Sequence, residues 1–172
     1  LESLGPFKLA AVMNAKPYDG ATGVILKRGG VETDEFVICF RSAVEISSFI
    51  KVGADPLVHA PARLSEHANA NAFVSNLYCG YKAVLQKTVV KGFKKGSKIT
   101  FLGFSMGSAL AQLCMHDLFA TQGLQAETEH LLLASPRVAS QGFYRELATA
   151  ATPVTVTAFL AAANYAGKIH MD

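Results

Sequence analysis

A short turn between two regular elements constrains this chain more than any other feature. Residues 98–118 read KITFLGFSMGSALAQLCMHDL. A β-forming run comes first, then the pattern G-x-S-x-G from Gly103 through Ser105 to Gly107, then small residues with helical spacing. A strand, G-x-S-x-G and a helix in this order are the context of a nucleophile elbow.

The chemistry of such an elbow explains its glycines. Gly103 and Gly107 have no Cβ, so a strand and a helix can pack closely on either side of Ser105. The Ser105 hydroxyl then projects from the end of the sheet. The amide of Met106 lies at a helix N-terminus, where backbone N–H groups suit a developing oxyanion. The plainer alternative is a tight strand-to-helix turn without chemistry.

Length and composition indicate one globular domain over residues 1–172. The chain has 51% hydrophobic and 17% charged residues, enough to form a sizeable core. The net charge is +3, and much of the excess lies in residues 87–98, which is typical of a solvated turn. This modest charge does not predict a nucleic-acid partner. There is no metal-ligand spacing and no phosphate-binding glycine loop, so no cofactor and no metal are expected.

Neither the cysteines nor the first residues of the chain determine the cellular location of the protein. Cys39, Cys79 and Cys114 lie in apolar runs and are odd in number, which predicts buried free thiols and favours a reducing compartment. No apolar run is long enough to span a bilayer. The chain begins at Leu1 without an initiator methionine, as expected of a piece of a longer polypeptide, so a missing signal sequence says little.

Strand and helix patterns alternate along the chain. We expect a helix or strand at residues 9–13, a loop over 53–61, and an ambiguous stretch at 44–50. The predicted strands are 22–26, 35–40, 99–102, 130–134 and 154–159, and the predicted helices are 73–90, 143–148 and the elbow helix. This alternation predicts an α/β fold with a mainly parallel sheet and flanking helices.

Three stretches, in order, resemble one known family. Ser105 lies in GFSMGSALA, which is similar to GHSLGGALA of the class 3 (fungal-type) lipases. Residues 37–43, VICFRSA, resemble the strand of this family that ends in FRG. Residues 131–143, LLLASPRVASQGF, resemble their segment with GxPRVG. The resemblance covers about residues 20–159. It implies an α/β-hydrolase fold and a serine hydrolase acting on lipid or acyl esters. It also favours a secreted protein, whereas the cysteines favour a reducing compartment.

The resemblance also implies roles for individual residues. Ser105 would be the nucleophile, and the amides of Met106 and Ala43 would hold the oxyanion. In the family the order along the chain is serine, acid, histidine, and only His130 and His170 follow Ser105. His130 precedes the strand before the acid region, so His170 is the expected general base.

The pattern departs from the family at several positions. The triad carboxylate is expected within residues 160–164, which read LAAAN, so Asn164 is the only polar candidate. An amide can orient an imidazole, but it cannot stabilise the imidazolium as a charge does. Phe104 and Ser108 stand where the family has histidine and glycine.

These departures leave two alternatives beside the ester hydrolase. One is a catalytically inactive lipase-like fold that serves as a structural or protein-interaction module. The other is a site completed by residues of a partner chain, including a second copy of this one. Reaction of Ser105 with a fluorophosphonate separates an active from an inactive fold, because a serine without a base is a weak nucleophile.

Overall fold

A mixed β-sheet forms the centre of the structure. The structure is a computed structural model that describes residues 5–15, 21–42, 56–60, 67–137, 139–150 and 155–156. Within these residues a six-stranded sheet has the order β1-β2-β3-β6-β7-β8, and β4 and β5 form a separate two-stranded sheet. The strands are Lys8–Met13, Gly23–Gly29, Asp34–Phe40, Leu57–His59, Asn69–Asn71, Lys98–Phe104, Glu127–Leu133 and Thr155–Val156, numbered β1 to β8.

The sheet is parallel where the elbow lies. β3, β6, β7 and β8 pair in parallel, whereas β1, β2 and β3 pair antiparallel. Because parallel strands need a crossover, each step between the parallel strands passes through a helical segment. The predicted α/β class is confirmed, and the antiparallel pairs occupy one edge of a mainly parallel sheet.

Three helices are described, and two of them continue into wider turns. Helix α1 is Ala72–Leu85, α2 is Met106–Met115 and α3 is Gln141–Ala150. A π-helical turn, Gln86–Val90, extends α1, and another, His116–Thr121, extends α2. Asn71 caps α1, since its Oδ1 accepts a hydrogen bond from the amide of Val74 at 3.1 Å. All ten residues of α2 are buried, which its small side chains permit.

One face of the sheet carries the core. Phe36, Ile38 and Phe40 of β3 are at most 2% exposed, and the residues between them are half-buried. A nearly all-apolar run such as that of β3 is typical of a strand covered on both faces, whereas here one face is fully buried and the other only partly. Among the described residues, the helices bury the alternate side chains of one face.

Several expectations need correction or lie outside the described residues. Residues 9–13, left open between helix and strand, are part of β1. A loop was expected over residues 53–61, but Leu57–His59 pairs with β5 as a strand. Residues 43–50 lie outside the described residues, as does most of the predicted strand 154–159 apart from β8.

The cysteines agree with the prediction only in part. Cys39, Cys79 and Cys114 are all free. Cys114 is buried and Cys39 half-buried, but Cys79 is exposed, which contradicts the expectation of a buried thiol. The apolar run around Cys79 belongs to α1, and a helix buries only one of its faces.

Candidate active site

Ser105 lies at a sharp corner between β6 and α2. Its φ is 54° and its ψ is −119°, and Met106 begins the helix immediately after it. A residue with a side chain seldom adopts a positive φ, and such a conformation costs about 1–3 kcal/mol. The strand, strained corner and helix predicted from Gly103 to Gly107 are therefore confirmed.

The two elbow glycines are required by close approach of the backbone. A Cβ on Gly103 would lie 2.5 Å from the carbonyl oxygen of Gly107, and a Cβ on Gly107 would lie 2.3 Å from that of Phe40. Real Cβ atoms essentially never come this close to another heavy atom. The elbow packs against itself, as the sequence argument required, and it also packs against the end of β3.

The backbone of Ser105 is tied to both sides of the corner. Its amide donates to the carbonyl oxygen of Leu133, the last residue of β7, at 2.9 Å. Its carbonyl oxygen accepts from the amides of Ser108 at 2.9 Å and Ala109 at 3.3 Å. The hydroxyl does not cap α2, and the residue is half-buried. The residue is therefore partly open to solvent at the carboxyl end of the parallel strands.

A second group of polar residues, missed by the sequence argument, holds the start of α2 to the end of β7. Ser108 Oγ lies 2.8 Å from the carbonyl oxygen of Gly103 and 2.9 Å from that of Leu133. Gln112 Nε2 donates to Ser135 Oγ, and its Oε1 accepts from Tyr144 Oη at 2.9 Å. The one available signal was Ser108 itself, a hydroxyl on the inner face of a small-residue helix.

The other sequence-predicted site residues divide into two groups. Met106 is the first residue of α2, so its amide lies at the N-terminal end of the helix beside Ser105. Ala43, Asn164 and His170 lie outside the described residues.

Two described histidines are held away from Ser105. His130 pairs with Phe101 in the β6–β7 register. Phe101 is four residues before Ser105, so His130 lies about 13 Å from Ser105 along the strand direction. His116 follows α2, eleven residues beyond Ser105, or about 16 Å along a helix. Neither of these two rings is close enough to take a proton from the Ser105 hydroxyl.

His116 belongs to a buried pair at the far end of α2. Its Nε2 lies 2.8 Å from Glu146 Oε2, and its ring stacks on Phe143 with centroids 4.3 Å apart. Burial lowers the pKa of His116, and the raising effects of Glu146 and of Asp117 do not fully offset it. The pair joins α3 to the turn that extends α2.

A polar cluster joins α1 to the same turn. Tyr78 Oη donates to Asp117 Oδ2 at 2.7 Å, and Lys82 Nζ lies 3.7 Å from the same oxygen. Burial, followed by the charge of Asp117, raises the pKa of the Cys114 thiol well above its ordinary value. Because a buried thiol that stays protonated is a weak nucleophile, Cys114 is not a candidate for that role.

An apolar side chain borders the candidate nucleophile. Phe104, immediately before Ser105, is 53% exposed, and Leu131 on the neighbouring strand β7 is 39% exposed.

In the part of the chain that the structure describes, no three His, Cys, Asp or Glu side chains come together as metal ligands. No described helix has the length and apolar character to cross a membrane.

Comparison with known proteins decides the family. The sequence profile of the family described as Lipase (class 3) matches residues 37–160, which is more than half of the chain. The chain belongs to the class 3 lipases. The match includes residues 37–43, the elbow and residues 131–143, the three segments on which the resemblance was based. Among curated proteins, no sequence matches this class 3 lipase chain.

Solved structures of lipases share the fold. The chain is similar to the Rhizomucor miehei lipase in its propeptide complex, with a TM-score of 0.64 and 23% identity over 88% of this chain and 49% of that one. A lipase from Rhizopus microsporus var. chinensis matches with a TM-score of 0.60 and 20% identity over 89% and 53%. A mono- and diacylglycerol lipase from Aspergillus oryzae matches with a TM-score of 0.59 and 18% identity over 84% and 53%. This class 3 lipase chain thus spans about half the length of the solved relatives.

Proposed function

We propose that this chain is a serine carboxylic-ester hydrolase that acts on lipid or acyl esters, with Ser105 as its nucleophile. The observation that carries the proposal is the strained backbone of Ser105, with φ at 54°, at a strand-to-helix corner in a class 3 lipase chain. This conformation costs free energy, but it places the serine beside the amides at the start of a helix, as a nucleophile elbow requires. A related solved triacylglycerol lipase is described as having a serine protease triad as its catalytic centre.

The proposed reaction has two steps. Ser105 Oγ attacks the ester carbonyl carbon while His170 takes the hydroxyl proton, and the oxyanion rests on the amides of Met106 and Ala43. Collapse breaks the ester C–O bond, and His170 returns the proton to the leaving alkoxide. A water then attacks the acyl-serine with the same base, which releases the acid and restores Ser105.

The ring-orienting role falls to Asn164 in this proposal. An asparagine fixes the tautomer and direction of His170 by a hydrogen bond but adds no negative charge for the imidazolium. We therefore propose that the turnover number is lower than that of lipases with a carboxylate at this place. The exposed side chain of Phe104 beside Ser105 suits an apolar acyl chain.

A second candidate function is an inactive lipase-like fold that serves as a structural or interaction module. What favours it is that His116 and His130 are held away from Ser105, and that residues 160–164 contain no carboxylate. A site completed by a partner chain, or by a second copy, is the intermediate case. Activity that rises faster than linearly with protein concentration would support assembly.

Hydrolysis of p-nitrophenyl butyrate by the purified chain tests the proposal. Ser105→Ala should abolish turnover while the far-ultraviolet circular dichroism stays unchanged. Thr149→Ala is the matched control, because it also removes one hydroxyl but from an exposed site on α3, where among the described residues the hydroxyl bonds its own helix. Equal turnover in the wild-type and Ser105→Ala proteins would rule out Ser105 as the nucleophile.

A further inference from the structure

Ser108 lies at the junction of three backbone segments. The residue is fully buried, and its hydroxyl is within hydrogen-bond distance of two carbonyl oxygens, Gly103 at 2.8 Å and Leu133 at 2.9 Å. The hydroxyl carries one proton and can donate to either carbonyl in turn. Either bond ties the first turn of α2 to the end of a central strand.

The Leu133 carbonyl is shared with the elbow. It accepts the Ser105 amide at 2.9 Å as well as facing the Ser108 hydroxyl. The two lone pairs of one carbonyl oxygen are thus directed at a donor on the elbow and a donor on α2. The position of this oxygen sets the direction of the Ser105 N–H, and with it the rotation of the strained Ser105 backbone.

The residues after Leu133 also need to be held in place. Ala134 has φ of 47°, a positive value that costs energy for a residue with a side chain. Ser135 then accepts a hydrogen bond from Gln112 Nε2, one helical turn after Ser108. Hydrogen bonds from helix α2 therefore hold the chain on both sides of a strained turn. Of these two contacts, the one made by Ser108 is nearer to Ser105.

We propose that Ser108 is a positioning residue for the nucleophile: its hydroxyl fixes the Leu133 carbonyl that orients the Ser105 backbone. The inference rests on the proposed function, since a positioned hydroxyl matters only if Ser105 reacts. Ser108 touches no substrate and acts through Leu133. Its loss leaves the Leu133 carbonyl with one donor fewer and lets the Ser105 corner relax.

The first test is amide hydrogen exchange at Ser105 in the Ser108→Ala protein. Loss of one buried hydrogen bond should speed exchange of this amide by up to about tenfold relative to the wild type. The matched control is Ser97→Ala, because Ser97 is also fully buried and its hydroxyl accepts from the Asp34 amide at 3.0 Å, just before β6 and at the opposite end of that strand from the elbow. In the control, exchange at Ser105 should stay within about twofold of the wild type.

The second test separates positioning from a merely structural role. On p-nitrophenyl butyrate, Ser108→Ala should lower kcat by about tenfold and leave KM within about twofold, whereas Ser97→Ala should change neither. The rate of fluorophosphonate labelling of Ser105 should fall with kcat. If Ser108→Ala does not fold, Ser108→Cys fills the site with a slightly larger side chain and keeps a weaker donor, and both readouts should change in the same direction by less.

The outcomes distinguish the two proposals. If the wild type neither hydrolyses the ester nor reacts with the probe, the proposed function fails, and the positioning role falls with it whatever the exchange result. If the wild type reacts but Ser105 exchanges equally fast in the Ser108→Ala, Ser97→Ala and wild-type proteins, the positioning role is overturned and the proposed function stands. Equal losses of kcat in both variants would likewise reduce Ser108 to a structural serine.

Discussion

The α-carbon of Gly107 faces the backbone of Phe40 so closely that a Cβ there would lie 2.3 Å from the Phe40 carbonyl oxygen and 2.9 Å from its carbonyl carbon. Phe40 is the last residue of β3, and Gly107 is the second residue of α2. Because both partners are backbone, the contact cannot be relieved by a side-chain rotation. The start of α2 is thus fixed against the neighbouring strand.

Gly107→Ala should destabilise the fold. The forced shift of α2 from β3 should lower the free energy of unfolding by about 1–3 kcal/mol, as overpacking does, and it should also reduce reaction at Ser105. Urea unfolding measures the change. Gly92→Ala is the control, since its Cβ would meet nothing within 4 Å, and its effect should stay within about 0.5 kcal/mol. Equal stability of the two variants would contradict the close approach.

Tyr78 and Tyr81 allow a matched comparison of two buried hydroxyls. Both side chains are fully buried, but Tyr78 donates to the carboxylate of Asp117 at 2.7 Å and Tyr81 to the neutral hydroxyl of Thr22 at 2.9 Å. Tyr78→Phe should therefore cost about 1.5–3 kcal/mol of unfolding free energy and Tyr81→Phe about 0.5–1.5 kcal/mol. Thermal or urea unfolding measures both. A larger loss at Tyr81 than at Tyr78 would contradict the assignment of the charged acceptor.

Stability should fall as the pH is lowered through the histidine range. Burial lowers the folded-state pKa of His116 and of His130 below the ordinary value. As the pH falls below about 6.5, the unfolded chain therefore binds protons before the folded chain does. The contribution of these two neutral rings is complete above that pH and is lost progressively below it. Urea unfolding at a series of pH values measures the slope.

Two substitutions test whether His116 causes this change of stability with pH. His116→Gln keeps a donor toward Glu146 and removes the titrating ring, so the loss of stability between about pH 7 and pH 5 should become smaller. Thr149→Ala is the control, because it changes an exposed side chain that does not titrate, and the slope should not change. An unchanged slope in His116→Gln would show that the buried pair with Glu146 does not contribute to the pH dependence.

Much of the fold followed from local sequence pattern. The elbow was predictable because Gly103 and Gly107 flank a serine between a β-forming run and small helical residues, and each of these features is local. The short strand β4 was missed, since a pairing between residues 57–59 and 69–71 depends on contacts that no periodicity within three residues reveals. The exposure of Cys79 was missed because an apolar run in an amphipathic helix does not say which face is buried.

The candidate site was predictable only at Ser105, the proposed nucleophile, and at the residue that follows it. Ser105 and Met106 lie where the motif put them, but the bonds of Ser108 to Leu133 and of Gln112 to Ser135 join residues 25 and 23 positions apart in sequence. Such long-range hydrogen bonds leave no mark on local spacing. The roles of Ala43, Asn164 and His170 stay predictions, because they rest on a resemblance in chain order and lie outside the described residues.

Reaction of the wild-type chain with a fluorophosphonate probe, followed by mass-spectrometric mapping of the adduct, tests the central claim most directly. Attack by Ser105 Oγ on phosphorus forms a P–O bond, and fluoride leaves with the hydroxyl proton taken up by the base. We predict one adduct on Ser105, absent from Ser105→Ala and present in Thr149→Ala. A folded wild-type chain that carries no adduct on Ser105, under conditions that label a fungal lipase fully, would contradict the account.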